Sequence, residues 1–158
     1  MPTRPPRRGR LVLDTHVWIW AAEGMTQHLD AKAVTTIEQA AKASTLAVSA
    51  ISVWELAMLV KRGRLTLATA VSSWVESSLR PPGVRIIPVG AAIALDSVQL
   101  PDFDHHKDPA DRLIVATARK HGTLLTCDAS LLDWARAHKH VRVFDGRPAR
   151  IVSSSDPG

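Results

Sequence analysis

Apolar residues along the chain form two kinds of run, short unbroken ones and longer periodic ones, and the two alternate. Leu11-Val12-Leu13 is apolar without alternation, which suits a strand buried on both faces of a parallel sheet. Leu46-Ala47-Val48 repeats that pattern, and further strands are expected at Val84 to Val89 with Ile86 and Ile87 at the centre, at Thr123 to Thr126, and at Val141 to Phe144. Between them, apolar positions recur at helical spacing. His16 to Glu23 carries Val17, Trp18, Ile19 and Trp20 and is stopped by Gly24. Asp30 opens a helix to Lys42 with Ala33, Val34, Ile37, Ala40 and Ala41 on its repeat. Ser49 or Ser52 caps a helix to Lys61, closed by Gly63, and Thr69 caps one to Leu79, broken by Pro81-Pro82-Gly83. Gly90 to Val98, the segment from Pro109, and Ala129 to His138 complete the helices. Alternation of strands and helices predicts an α/β fold with a mainly parallel sheet of about five short strands and helices on both faces. In such sheets ligands bind beyond the carboxyl ends of the strands.

The 158 residues suit one compact domain over residues 11–152, flanked by an arm over 1–10 and a fraying tail over 153–158. Hydrophobic residues make up 46%, which excludes a disordered chain. The net charge of +5 is uneven: Arg4, Arg7, Arg8 and Arg10 sit beside Pro2, Pro5 and Pro6, and without those four the balance is +1. Such an arm reads as a solvated tail or as a site of non-specific phosphate attraction. Cys127 is the single cysteine, so no intrachain disulfide forms, in keeping with a reducing cytosol. The N-terminus lacks the apolar core of a signal peptide, and no run reaches a membrane span. A soluble, cytoplasmic protein is expected.

The chemistry lies in the acids. Asp14 follows the first strand and Asp128 the fourth, so both stand at the carboxyl edge of the sheet; each also suits a helix N-cap. Asp108-Pro109-Ala110-Asp111 reads as cap, first helical position and capping-box acid. Glu55 breaks this pattern. It is the only charge between Ile51 and Val60, lies inside a helix, and shares a face with Ile51 and Leu59. A carboxylate there is costly unless paired or coordinating a metal. Asp14, Glu55, Asp111 and Asp128 together would repel one another, and a divalent cation removes that conflict. An all-oxygen set suits Mg²⁺ or Mn²⁺, as one ion or two. Such a centre hydrolyses phosphodiesters.

Four segments carry a family resemblance: Leu13-Asp14-Thr15-His16-Val17-Trp18, Ser52-Val53-Trp54-Glu55-Leu56-Ala57, His106 to Ala116, and Leu125-Thr126-Cys127-Asp128. In this order and spacing the chain resembles the PIN-domain ribonucleases, and within them the VapC-type toxins of type II toxin–antitoxin pairs. The resemblance covers Leu11 to Phe144 and implies a PIN-like three-layer α/β/α fold. It also implies an acidic quartet of Asp14, Glu55, Asp111 and Asp128 around Mg²⁺ or Mn²⁺, RNA cleavage, a homodimer and a cognate antitoxin. Asp108 matches less well than Asp111 and is expected as cap or supporting group. Thr15 and Thr126 are candidates for orienting carboxylates or a metal water. Arg112 is a candidate phosphate or acid partner. His16, His105 and His106 have surface, packing or loop roles as alternatives to site roles. Trp18 and Trp20 point to opposite sides of one helix, so at least one is expected to meet a partner or RNA. The rival classes are a non-catalytic RNA- or antitoxin-binding module, and a phosphatase with Asp14 as nucleophile, which would want an acid where His16 stands.

Overall fold

A computed structural model of the chain describes residues 9–80, 83–102 and 108–149. The strands are β1 (Arg10–Leu13), β2 (Leu46–Ser49), β3 (Arg85–Ile87), β4 (Gly122–Thr126) and β5 (Arg142–Asp145). The helices are α1 (Thr15–Ala22), α2 (Ala31–Lys42), α3 (Ala50–Lys61), α4 (Val71–Leu79), α5 (Ala91–Val98), α6 (Pro109–His121) and α7 (Ala129–His138). The sheet has the order β3-β2-β1-β4-β5, and every pairing is parallel. The expected α/β architecture is present.

Alternation along the buried strands divides the core in two. Leu11 and Leu13 of β1, Leu46 and Val48 of β2 and Leu125 of β4 face one side, against Val17, Trp18, Ile37 and Trp74. Val12, Ala47, Ile87 and Leu124 face the other, against Ile93, Ile114, Val115 and Leu131. The strands are short and bear apolar groups on both faces because helices cover both. Chain order reverses between β1 and β4: the first three strands build outward on one side of β1 and the last two on the other. That is a topological switch point, where a crevice opens at the carboxyl ends of the strands. At the opposite end, α6 runs into β4 without a loop. Gly122 makes this possible, since a Cβ there would collide with the Arg10 backbone.

Several expectations are corrected in detail. Thr69 does not cap α4; Ala70 occupies that position without a side-chain hydrogen bond. The third strand is shorter than Val84 to Val89, ending at Ile87 because Pro88 has no N–H to continue the ladder. A 3-10 turn at Thr26–His28 was not anticipated; its three residues are too few to carry a period. Arg10 belongs to β1 rather than to the arm. Of the two serines offered as caps, Ser49 caps α3, accepting from the Ile51 N–H at 3.3 Å. Trp18 is buried against Trp74, whereas Trp20 is half-buried, with its ring 4.7 Å from that of His28. So Trp20 is partly covered from within the chain, and Trp54, 55% exposed, is the tryptophan that faces outward. Residues 1–8 of the arm, the tail, His105 and His106 lie outside the described residues. No described helix is long and apolar enough to cross a membrane.

Leu124 is fully buried at the centre of the second core face. Leu124→Ala should lower unfolding free energy by about 2–5 kcal/mol. Val98→Ala, at a site 74% exposed, should change it by less than about 0.5 kcal/mol. Denaturant unfolding monitored by circular dichroism measures both.

Candidate active site

Asp14 is the hinge of the site. The backbone leaves β1, turns extended at Asp14 and enters α1, so the carboxylate becomes the N-cap of α1. One oxygen, Oδ1, accepts from the Thr15 N–H at 2.8 Å. The other, Oδ2, accepts from the Thr126 hydroxyl at 2.7 Å. Thr126 ends β4, the strand beside β1, and its Oγ1 also accepts from the Asp128 N–H at 3.0 Å. One buried hydroxyl thereby links the two acids that follow adjacent strands.

Glu55 reaches the same crevice from α3. The Thr15 hydroxyl donates to its Oε1 at 2.6 Å, and Ser52 Oγ lies 2.8 Å from Thr15 Oγ1. Thr15 has one hydroxyl proton and Glu55 carries no donor when ionised, so that proton goes to Glu55 and Ser52 donates to Thr15. The result is a chain from Ser52 through Thr15 to Glu55, with Ser52 and Thr15 both buried. Thr15 was anticipated as an orienting group. The sequence reads Ser52 as a cap candidate and as the first residue of the segment that carries Glu55; the signal for this contact is its place one turn before Glu55 on the same helix face.

Asp111 lies in the first turn of α6, whose N-cap is Asp108, accepting from the Ala110 N–H at 3.0 Å. Asp128 caps α7, accepting from the Leu131 N–H at 3.1 Å, and is exposed at the rim. Electrostatics show how these acids share a site. Burial raises the Asp14 carboxyl above its ordinary range, the hydrogen bonds from Thr126 and Thr15 oppose that rise, and the charge of Asp128 adds to it. Burial likewise raises Glu55, with the negative charge of Asp108 and Asp14 adding to it and the Thr15 bond opposing it. Asp111 is pushed up to about 7, first by burial and then by the charge of Asp14, Asp108, Glu55 and Asp128. Asp108 is therefore both a cap and a contributor to the shared negative field.

The other candidates separate. His16 is exposed, its ring 5.9 Å from that of Trp20, and its charge lowers the carboxyls of Asp14 and Glu55. Arg112 is half-buried on α6. Cys127 is half-buried with its thiol pushed up to about 11 by burial and by Asp145 and Asp14, which keeps it protonated and removes it as a nucleophile.

Among the described residues, no three His, Cys, Asp or Glu side chains close into a metal cage. The donor chemistry nonetheless fits a hard cation: oxygen donors only, with carboxyls whose proton affinity rises through burial and mutual repulsion. Asp14, Glu55, Asp111 and Asp128 are the side chains available to hold one.

The PIN domain family model matches residues 11–137. Ribonuclease VapC22 of Mycobacterium tuberculosis (strain ATCC 25618 / H37Rv) is 41% identical over 134 residues, covering 84% of this chain and 94% of that protein. Among solved structures, VapBC2 from Rickettsia felis bound to a DNA fragment from their promoter aligns with a TM-score of 0.63 at 18% identity, over 86% of this chain and 98% of the other. DNA-bound VapBC from Salmonella typhimurium aligns at 0.59 and 17%, over 86% and 97%. At those identities the solved structures speak for the fold, while the sequence matches speak for the family. With its strand order, its switch-point acids and these matches, the chain belongs to the PIN domain family, and within it stands with the VapC ribonucleases.

Proposed function

We propose that this chain is a metal-dependent endoribonuclease, the toxin of a type II toxin–antitoxin pair, acting in the cytoplasm with Mg²⁺ or Mn²⁺ held by Asp14, Glu55, Asp111 and Asp128. The observation that carries this reading is geometric: Thr126 links Asp14 with Asp128 and Thr15 holds Glu55, so acids from separate elements gather at the switch point, where their charge and burial also raise Asp111. The ribonuclease named among its relatives supports RNA as substrate, and the VapBC complexes among its structural neighbours support an antitoxin partner. Exposed Leu95 and Val98 on α5 and Trp54 on α3 supply apolar surface of the kind an antitoxin or a second copy in a homodimer would cover.

A bound divalent cation supplies a polarised phosphoryl oxygen and a water activated at neutral pH. Asp14 brings a carboxylate whose two oxygens are already aimed by Thr15 and Thr126, so little reorganisation accompanies binding. Glu55 is held through Oε1 by Thr15, which leaves Oε2 to orient the attacking water and accept its proton. Asp111 holds its own proton near neutrality and releases it as positive charge enters the site. Asp108 and Asp128 add negative charge at the rim, favouring the cation.

Asp14→Asn retains capping ability and Glu55→Gln retains shape. With Mg²⁺, each should cut a folded RNA about 10²-fold or more slowly than wild type, with melting temperatures close to it. Undiminished cleavage by both would remove the proposed site, and RNA bound but uncut by the wild type would favour a non-catalytic module.

Thr15 acts through Glu55 and is a positioning residue. Thr15→Val should lower kcat roughly 10–100-fold, and Thr15→Ser should restore it by returning the hydroxyl. A deficit of equal size in both variants would mean that packing, not the hydrogen bond, was lost.

The rise of Asp111 from 3.8 to about 7 sets a pH dependence. Between those values the folded chain holds a proton that the unfolded chain has released. The cation-free protein therefore loses stability as pH rises through this window, and Asp111→Asn should flatten that slope in EDTA melts. Because the same proton competes with the cation, Mg²⁺ should bind more weakly at pH 6 than at pH 8. It should also release protons on binding, measured by calorimetry in buffers of different ionisation enthalpy. Equal affinity at both pH values would contradict this.

A further inference from the structure

A wide concavity among the described residues is remote from the acids. It lies at the amino end of the sheet, where β1, β3, β4 and β5 begin and α6 and α7 end, and has a volume of about 1310 Å³. Seven Lys and Arg residues line it, with no Asp or Glu among the described lining residues. Among the described residues, two of the seven pair with acids: Arg119 with Asp96 at 2.8 Å and Arg136 with Asp145 at 3.2 Å. The remaining five are Arg10, Arg85, Lys120, Lys139 and Arg142.

Each of these has an ordinary explanation when taken alone. Lys120 and Lys139 suit the negative ends of the α6 and α7 dipoles, and Arg85 and Arg142 suit edge strands that must avoid pairing. Those explanations do not require the charges to line one hollow without a carboxylate among them. Two further observations mark the hollow as a place of unmet positive charge. Arg10 Nη1 is buried without a hydrogen-bond partner among the described residues. The His121 imidazole is lowered first by burial and then by the charge of Lys120 and Arg10. The cations are spread over five elements rather than converging on one point, which matches an extended row of phosphates better than a single small anion. In the sequence, Arg4, Arg7 and Arg8 immediately precede the residues that enter this hollow.

We propose that this basin is a phosphate-binding exosite that holds the sugar–phosphate backbone of the RNA substrate at the end of the sheet opposite the acidic centre. It rests on the reading of the chain as a ribonuclease. An acidic centre repels an approaching polyanion, so attraction must come from elsewhere on the surface, and this basin provides it without reading sequence. Strands of four or five residues place the two ends roughly 13–17 Å apart. A folded RNA wider than that reaches both ends, whereas a short oligonucleotide occupies one at a time.

The test is binding of a fluorescent folded RNA to the full chain in EDTA, followed across salt concentration. Arg85→Glu/Lys120→Glu/Arg142→Glu should weaken binding roughly tenfold or more at about 0.1 M salt and reduce the log–log salt slope by about 2–3. The milder triple Gln variant should show a smaller loss in the same direction. Both should melt near the wild-type temperature and, with Mg²⁺, cut a short oligonucleotide at the wild-type rate while cutting the folded RNA with raised KM. Unchanged affinity and slope in both variants would overturn the exosite, as would wild-type binding of poly-glutamate as tight as that of RNA, which would assign the basin to an acidic protein. The two proposals fail separately. Reduced RNA binding in variants of a wild type that cuts no RNA supports the exosite and removes the nuclease. Normal cleavage by a wild type whose variants bind folded RNA unchanged does the reverse.

Discussion

Like charges gathered in a partly dry crevice must be held there against their own repulsion, and two threonine hydroxyls do much of that holding. Thr126 fastens Asp14 to the end of β4, and Thr15 fastens Glu55 to the start of α1. Each hydroxyl is buried and donates to a carboxylate, a charge-assisted bond that recovers part of what burial costs. The switch point between β1 and β4 is what brings these partners within reach, because only there do the two halves of the sheet leave a gap at their carboxyl ends. Fold and site are thus joined through one small network: disturbing the β1–β4 register would also misplace Asp14 relative to Thr126.

The molecule is electrically polar along its strands. The candidate-site carboxylates collect at one end of the sheet and the Lys and Arg of the basin at the other. Parallel topology produces this arrangement naturally, since every strand begins at one end and every strand leads into its following helix or loop at the other. Acids capping α1, α6 and α7 lie at one end, and basic residues closing α6 and α7 lie at the other. Both placements also suit the helix dipoles. Capping and function are therefore not competing explanations for Asp14, Asp108 and Asp128: the local rule that favours an acid at a helix start also delivers it to the crevice.

Much of the architecture was legible before any coordinates. Unbroken apolar triplets such as Leu11-Val12-Leu13 and Leu46-Ala47-Val48 are strands because both of their faces are covered, and that pattern is local. Glu55 announced itself by being the lone charge in an apolar helix. Less was legible where structure depends on neighbours. The early end of β3 came from Pro88 on an edge strand, and α4 begins at Ala70 without the expected Thr69 cap. Ser52 looked interchangeable with Ser49 as a cap, since both are small polar residues near one helix start. Trp18 and Trp20 both pack against the first core face, and the His28 ring beside Trp20 comes from a turn too short to predict.

By itself, the sequence determined the order and type of most elements and marked the candidate acids, because hydrophobic period and helix capping act over a few residues. The tertiary structure decided which groups meet. Asp14 and Thr126 are 112 positions apart and Thr15 and Glu55 are 40, and no local pattern specifies either contact. Strand order does, by setting β4 beside β1 and leaving α3 and α6 at the same crevice. The elevation of Asp111 and the positive basin at the far end have the same origin. Both are fields summed over residues that are distant along the chain and near only in space.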